Sequence, residues 1–160
     1  MRLNMQRNKF SKSLIVATIA LTYSFSGYSA ASKADYRDFV PSPEQPYYFE
    51  DGKVDFGTYN GFRRYHADCH VCHGPAGMGS SYAPALLESL KVMSYGDFVN
   101  AVVTGREGMN NSVMPSFAKN IDVIKYIADI YAYLKARSDG VIGMNRPAKF
   151  PKVKKLIADK

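Results

Sequence analysis

Cys69-His70-Val71-Cys72-His73 contains both cysteines of this 160-residue chain. Two thiols followed at once by a histidine form the C-x-x-C-H pattern through which haem is attached covalently. The spacing has a physical reason, because thiols one helical turn apart each reach one vinyl group of the porphyrin while the next residue reaches the iron. A structural disulfide or a thioredoxin-like pair has no use for the adjoining histidine, and no β-α-β pattern surrounds these residues. The motif therefore predicts one covalent haem c, attached at Cys69 and Cys72, with His73 as the proximal iron ligand.

The second iron ligand is predicted from the methionines downstream of this motif. His66 and His70 lie in the same short stretch as His73, so they cannot readily reach the opposite face of the haem. Met114-Pro115 places a sulfur in an extended, proline-stiffened segment 41 residues after His73, which is long enough to wrap around the haem edge. Met109 in the same loop is the alternative. A Met/His pair raises the potential and leaves no open coordination site, so it favours an electron carrier over a haem sensor or a small redox enzyme.

Apolar periodicity predicts three main helices with no sheet between them. The first runs from about Thr58 to His70, the second begins at the capping box of Ser94 and Asp97 and stops at Gly105, and the third runs from about Ile121 to Arg137. The connecting loops are long and contain glycine and proline, so three helices alone would not hold them in place. The predicted fold class is all-α, with long loops wrapped around the haem.

The two ends of the chain differ in composition from its body. The length supports one domain of ordinary size, which excludes a large multi-domain enzyme. Near the N-terminus, an apolar stretch from Leu14 to Leu21 is too short to span a bilayer, follows basic residues and precedes the small residues Ser29-Ala30-Ala31. This pattern predicts a cleaved secretory signal peptide, a periplasmic location and no stable membrane insertion. The predicted division is a signal peptide at 1–31, an extended N-terminal arm at 32–56, the haem domain at 57–137 and a basic C-terminal tail at 138–160.

The formal net charge of +7 comes largely from the predicted signal peptide. Removing its four basic residues from the total of 21 leaves 17 against 14 acidic residues, a net charge of +3. Residues 135–160 hold eight Lys or Arg and two Asp, so the tail is basic and the body mildly acidic. Nucleic-acid binding is not expected, because the body has no recognised motif and no basic patch interleaved with aromatic residues. The tail either guides docking to an acidic partner or anionic surface, or is a solvated end.

From Gly61 to Leu134 the chain resembles the class I c-type cytochromes. Gly61-x-x-x-Tyr65-x-x-x-Cys69 is similar to the family's N-terminal helix, and Ile130-Tyr131-Ala132-Tyr133-Leu134 is similar to the C-terminal helix that crosses it closely at the glycine. The resemblance implies the small cytochrome c fold, in which these two helices touch. It also implies that the carbonyl of Pro84 accepts a hydrogen bond from Nδ1 of His73 and strengthens the donation of this ligand to the iron.

Two segments outside that core carry a narrower resemblance. Asp51 to Gly61 and Tyr133 to Gly143, together with Met114-Pro115-Ser116-Phe117, are similar to the periplasmic cytochromes of the cytochrome cL or XoxG type. The resemblance implies an electron-transfer protein, not an enzyme, that accepts one electron at a time from a methanol or alcohol dehydrogenase dependent on pyrroloquinoline quinone (PQQ). A downstream cytochrome c or a terminal oxidase would then take the electron. We expect the chain to act as a monomer. A general soluble cytochrome c that donates to a terminal oxidase shares every core motif and is the alternative.

Overall fold

The computed structural model describes residues 39–108 and 112–151. The predicted signal peptide, Met109 and residues 152–160 of the predicted tail lie outside the described residues. Within the described ranges the secondary structure is mostly helical, with short strands of two residues each, so the predicted all-α class is confirmed. No helix in these ranges has the length and hydropathy that a membrane span requires.

The helices and strands follow one another in a simple order along the described chain. The helices are α1 (Phe56–Asp68), α2 (His70–His73), α3 (Ser89–Val92), α4 (Tyr95–Thr104), α5 (Ile121–Lys125) and α6 (Ile127–Ser138), and a 3₁₀ turn covers Pro75–Gly77. The strands are β1 (Phe49–Glu50), β2 (Lys53–Val54), β3 (Arg106–Glu107), β4 (Val113–Met114) and β5 (Ala148–Lys149). In one sheet β2 pairs with both β1 and β5, and the other sheet consists of β3 and β4.

Asp55 determines where α1 begins. Its buried carboxylate accepts hydrogen bonds from the backbone nitrogen of Thr58 at 3.0 Å and from Thr58 Oγ1 at 2.6 Å, which makes it the helix cap. The same carboxylate accepts a 2.9 Å hydrogen bond from the backbone nitrogen of Tyr48, just before β1. Asp51 and Gly52 form the turn between β1 and β2, both with positive φ. One side chain therefore fixes the start of α1 and attaches the β1–β2 hairpin to it.

Helices α1 and α6 cross at Gly61. A Cβ atom on Gly61 would overlap the carbonyl group of Asp129 and would lie 3.0 Å from the backbone nitrogen of Ile130. Across the crossing, Asn60 Nδ2 donates a 2.7 Å hydrogen bond to Asp129 Oδ2. Burial raises the pKa of the Asp129 carboxyl, the Asn60 hydrogen bond opposes that shift, and the Asp55 carboxylate adds to it. The predicted contact between the two helices is confirmed, and it depends on the missing side chain of Gly61.

Aromatic rings fill the space around this crossing. The ring centres of Tyr65 on α1 and Tyr133 on α6 lie 5.6 Å apart, and both side chains are fully buried. On the other side of α6, Tyr131 packs against Tyr95 and Phe98 of α4, with ring centres 5.1 and 5.3 Å away. Helix α6 is therefore the central element, since it contacts both α1 and α4 through tyrosine side chains.

The third predicted helix is divided at Tyr126. The backbone there leaves helical values, with φ −116° and ψ 21°, so α5 ends before it and α6 begins after it. Asn120 caps α5 by accepting a 3.1 Å hydrogen bond from the backbone nitrogen of Val123, and its Nδ2 donates to Asp68 Oδ1 at 3.0 Å. The guanidinium of Arg64 lies 4.1 Å from the ring centre of Tyr126. These contacts with α1 stabilise the interruption between α5 and α6. Apolar periodicity alone cannot predict them.

The chain after α6 returns to the start of α1. Strand β5 pairs in parallel with β2, and the backbone nitrogen of Phe150 donates a 3.0 Å hydrogen bond to the carbonyl of Val54. The cations of Arg146 and Lys149 lie 5.0 and 4.9 Å from the ring centre of Tyr59 on α1. The described part of the basic tail is therefore packed against the N-terminal end of α1.

Replacing Gly61 with alanine should destabilise the protein by about 3 kcal/mol, because the new methyl group meets backbone atoms that cannot rotate away. The measurement is chemical denaturation of the holoprotein. Gly96→Ala is the matched control, since the nearest atom to its new methyl group is Ser94 Oγ at 3.8 Å. We expect Gly96→Ala to leave the free energy of unfolding unchanged or to raise it by less than about 1 kcal/mol. Equal losses in the two variants would contradict the close crossing.

Candidate haem-binding site

Cys69 separates α1 from α2, so the C-x-x-C-H motif begins where the long helix ends. The backbone of Cys69 has φ −107° and ψ −30°, outside ideal helical geometry. Its carbonyl oxygen accepts hydrogen bonds from the backbone nitrogens of Cys72 at 3.3 Å and His73 at 3.0 Å. The first helix thus ends at Asp68 rather than at the predicted His70, and both cysteines share one tight turn with His73.

Both cysteines are free thiols, and no disulfide joins them. Burial raises the pKa of the Cys69 thiol to about 12, with smaller contributions from the Asp68 carboxylate and the Cys72 thiol. Two unpaired thiols one helical turn apart are what attachment to two vinyl groups requires.

His73 is held by a backbone carbonyl on the far side of the next loop. Its ring is 8% exposed, and Nδ1 lies 3.0 Å from the carbonyl oxygen of Pro84. Because that oxygen only accepts hydrogen bonds, Nδ1 is the donor, which leaves Nε2 as the ring nitrogen that can bind a metal. The contact that the family resemblance implies between His73 and Pro84 is present in the structure.

Tyr65 holds the loop that follows His73. Its hydroxyl donates a 2.6 Å hydrogen bond to the carbonyl of Gly74 and accepts a 3.0 Å hydrogen bond from the backbone nitrogen of Gly77. Burial raises the pKa of the Tyr65 phenol, so the hydroxyl keeps the proton that it donates. In contrast, the buried hydroxyl of the neighbouring Tyr133 has no hydrogen-bond partner among the described residues. The Tyr65 hydroxyl therefore stabilises the loop after His73, whereas the Tyr133 hydroxyl has no such contact within the described ranges.

Arg137 contacts the same loop from α6, a role that the sequence analysis missed. Its side chain is 8% exposed; Nε donates to the carbonyl of Ala76 at 3.3 Å and Nη1 donates to the carbonyl of Ile142 at 2.8 Å. Arg137 follows Tyr133 by four residues and so lies on the buried face of α6. This spacing could have predicted a contact for Arg137, because a charged residue on the buried face of a helix requires a polar partner.

Met114 lies in β4, which forms a two-residue antiparallel ladder with β3 that the periodicity did not predict. Its side chain is partly buried and packs against the core. The segment after it is attached to α4, because Ser116 Oγ donates to the carbonyl of Val103 at 2.6 Å and the backbone nitrogen of Phe117 donates to the carbonyl of Val102 at 3.0 Å. Met109, the alternative ligand, lies outside the described residues.

His66 and His70 lie close to each other, at or just before the C-x-x-C-H motif. Their ring centres are 5.1 Å apart, and Nδ1 of His66 lies 2.8 Å from the carbonyl oxygen of Phe62. Both residues of this contact lie within α1. The contact fixes the orientation of the His66 ring, so a ligand role is not needed to explain it.

No family model matches the chain. Three similar proteins nevertheless show the family to which it belongs. Cytochrome c-553I of Paracoccus denitrificans is 52% identical over 103 residues, which cover 62% of this chain but only 46% of that protein, less than half its length. Cytochrome c-555 of Methylococcus capsulatus is 44% identical over 90 residues, covering 56% of this chain and 69% of that protein. The crystal structure of the c-type cytochrome XoxG from Methylobacterium extorquens AM1 shares 44% identity and a TM-score of 0.61, covering 69% of this chain and 76% of the other. The chain belongs to the class I c-type cytochromes.

The cytochrome is of the cytochrome cL/XoxG type and carries one covalently attached haem c, as the motif predicts. Its described residues fit this group on chemical grounds. Cys69 and Cys72 are unpaired thiols, and His73 has one ring nitrogen engaged and the other available. Met114 adds a partly buried thioether. Imidazole and thioether together form the donor pair typical of electron-transferring cytochromes c.

Removing the hydroxyl group from each of the two neighbouring tyrosines should change the stability by different amounts. Tyr65→Phe leaves the Gly74 carbonyl and the Gly77 amide without their partner, so we expect a loss of about 1–3 kcal/mol. Tyr133→Phe removes a buried hydroxyl that has no partner within residues 39–108 and 112–151, so we expect no loss or a gain of about 1 kcal/mol. Urea denaturation of both holoprotein variants beside the wild type measures this. A loss for Tyr133→Phe as large as that for Tyr65→Phe would show that the Tyr133 hydroxyl has a partner.

Proposed function

We propose that this cytochrome accepts single electrons from a PQQ-dependent methanol or alcohol dehydrogenase in the periplasm, after export by the predicted signal peptide at 1–31. A downstream cytochrome c or a terminal oxidase then oxidises it. The observation that carries the proposal is the likeness to XoxG, which covers 69% of the chain and so extends far beyond the haem motif. The narrower resemblance lies in the segments Asp51 to Gly61 and Tyr133 to Gly143. In the structure, the first contains the Asp55 cap of α1 and the second contains the Arg137–Ile142 contact.

The proposed attachment uses Cys69 and Cys72 as thioethers, Nε2 of His73 as the proximal ligand and the sulfur of Met114 as the distal ligand. When bound, the haem supplies reversible one-electron transfer between ferric and ferrous iron. The carbonyl of Pro84 keeps the His73 ring in one tautomer and one orientation. Because the segments that carry both ligands are fixed by backbone hydrogen bonds, they need not move between the two oxidation states.

Electron exchange is proposed to occur at an exposed apolar rim beside Cys72, which we define as Val71, Met78 and Tyr82. These side chains are 76%, 49% and 73% exposed. Ser80 connects the rim to the motif, since its Oγ donates to the carbonyl of Cys72 and accepts a 3.0 Å hydrogen bond from the backbone nitrogen of Tyr82. A small apolar rim favours a transient interface, typically below about 1,200 Å², which allows rapid turnover.

Replacing Met114 with alanine should open the sixth coordination position. We expect the ferric variant to bind added imidazole or azide and its reduction potential to fall, because the thioether ligand that raises the potential is lost. Absorption spectroscopy and a redox titration measure both effects. Met93→Ala is the control, since Met93 is also a partly buried methionine packed against the core. A Met109→Ala variant that opens the site, beside a Met114→Ala variant that does not, would move the assignment to Met109.

The partner is tested by stopped-flow mixing of the ferric holoprotein with a PQQ-dependent methanol dehydrogenase, with and without methanol. Rapid, methanol-dependent reduction is the expected result. Oxidation of the ferrous protein by a terminal oxidase is measured in parallel. Negligible reduction by the dehydrogenase together with rapid oxidation by the oxidase would reject the dehydrogenase proposal in favour of a general cytochrome c.

The same assay tests the rim with two matched substitutions. Tyr82→Lys places a charge in the rim and should lower the second-order rate of reduction by about fivefold or more, because the charge must be desolvated in the interface. Ile121→Lys is the control, because Ile121 is 80% exposed at the start of α5 and outside the rim, and its rate should stay within about twofold of the wild type. Equal effects of the two substitutions would place the electron-transfer surface elsewhere.

A further inference from the structure

Arg137 is a buried cation that no carboxylate neutralises among the residues the structure describes. Its side chain is 8% exposed, and its hydrogen bonds go to the backbone carbonyls of Ala76 and Ile142. Its remaining close contact is between Nη2 and the sulfur of Met78 at 3.8 Å. Removing a charge from water is costly unless it is paired, and carbonyl dipoles offset only part of that cost. The guanidinium of Arg137 therefore places a positive charge inside the protein that no carboxylate offsets within residues 39–108 and 112–151.

The loop that Arg137 contacts is the one that leaves His73. Ala76 is three residues after His73, is fully buried and has a φ of 54°, which lies in the left-handed region that side chains other than glycine rarely adopt. The backbone nitrogen of Gly79 returns to donate a 2.7 Å hydrogen bond to the carbonyl of His73, which closes the loop. The charge of Arg137 therefore lies against a short, closed loop that begins at the proposed iron ligand.

The field of this charge extends through the surrounding core. Burial raises the pKa values of the Tyr65 and Tyr133 phenols, and the Arg137 charge opposes this shift, as a minor contribution at Tyr65. The Tyr65 hydroxyl itself contacts Gly74, the residue directly after His73. Because Arg137, Ala76 and Tyr65 are all buried, water screens this charge only weakly, and the charge should also act on a haem held by the motif.

We propose that Arg137 is a positioning residue that raises the reduction potential of the haem by holding a positive charge behind the loop after His73. One electron from the donor converts ferric to ferrous iron, no proton is transferred, and the positive charge of the haem site falls by one unit. A fixed cation nearby favours the state with the smaller positive charge. The proposal rests on His73 as the proximal ligand, but it does not depend on which dehydrogenase donates the electron.

A purely mechanical role is the competing explanation, because Arg137 also ties Ala76 to Ile142. Three substitutions separate charge from mechanics. Arg137→Lys keeps the charge but cannot bridge both carbonyls with one ammonium group. Arg137→Gln and Arg137→Met each remove the charge, and the methionine needs no hydrogen bonds. Lys135→Gln is the control, because it removes a charge from the same helix at a position where the Asp139 carboxylate already pairs with the cation.

The experiment is a mediated redox titration of each purified holoprotein, with urea denaturation and absorption spectra of both oxidation states. We expect Arg137→Gln and Arg137→Met to lower the equilibrium constant for reduction by about threefold or more against a fixed reference couple. Arg137→Lys should stay within about twofold of the wild type in this constant although its urea midpoint falls. Lys135→Gln should match the wild-type potential, since the charge that it removes is already paired with Asp139.

A wild-type potential in both neutral variants would overturn the proposal. So would an Arg137→Lys variant whose potential falls as far as theirs, because mechanics would then explain the effect. If neither neutral variant yields folded holoprotein, Met78→Glu decides instead, because a carboxylate beside Nη2 neutralises the guanidinium. A lower equilibrium constant for reduction supports the proposal, and an unchanged constant rejects it. Unchanged ligand spectra confirm that the iron ligands are intact, so a failed ligand assignment is recognised separately.

Discussion

The backbone contact between Gly61 and Asp129 is the constraint on which the rest of the structure depends. It sets the distance between α1 and α6, and this distance is possible only without a side chain at residue 61. At that separation the rings of Tyr65 and Tyr133 pack against each other. The hydroxyl of Tyr65 and the guanidinium of Arg137 then reach the loop after His73 from the two different helices. The packing of two helices therefore determines the shape of a loop that has little regular structure of its own.

That loop requires such support for a general reason. Buried backbone groups must find hydrogen-bond partners, and a loop provides few of them internally. Here the carbonyl of Gly74 and the amide of Gly77 are satisfied by one tyrosine, and the carbonyl of Ala76 by one arginine. The carbonyl of Pro84, at the end of the same region, is used to orient His73. Two polar side chains thus stabilise the loop, and a backbone carbonyl of the same region orients His73, the proposed iron ligand.

Much of the helical framework could be predicted from local signals. Ser94 caps α4 and Gly105 ends it as the capping box and the glycine indicate, because both signals act within a few residues. The break at Tyr126 was missed, since it depends on contacts between α5 and the distant α1. The pairing of β3 with β4 was missed because strands of two residues carry no periodicity. Met114 as the distal ligand stays a prediction, and so do the thioether roles of the two cysteines.

By itself the sequence determined that this protein carries haem c, because Cys69, Cys72 and His73 are so close in the chain that their spacing already specifies the chemistry. Only the tertiary structure decided what the buried polar groups contact. Arg137 and Ala76 are 61 residues apart in the chain, and Tyr65 reaches Gly77 across 12 residues. Such pairs form only when the helices have packed, so a local pattern reports that a residue is buried but not which atom it contacts.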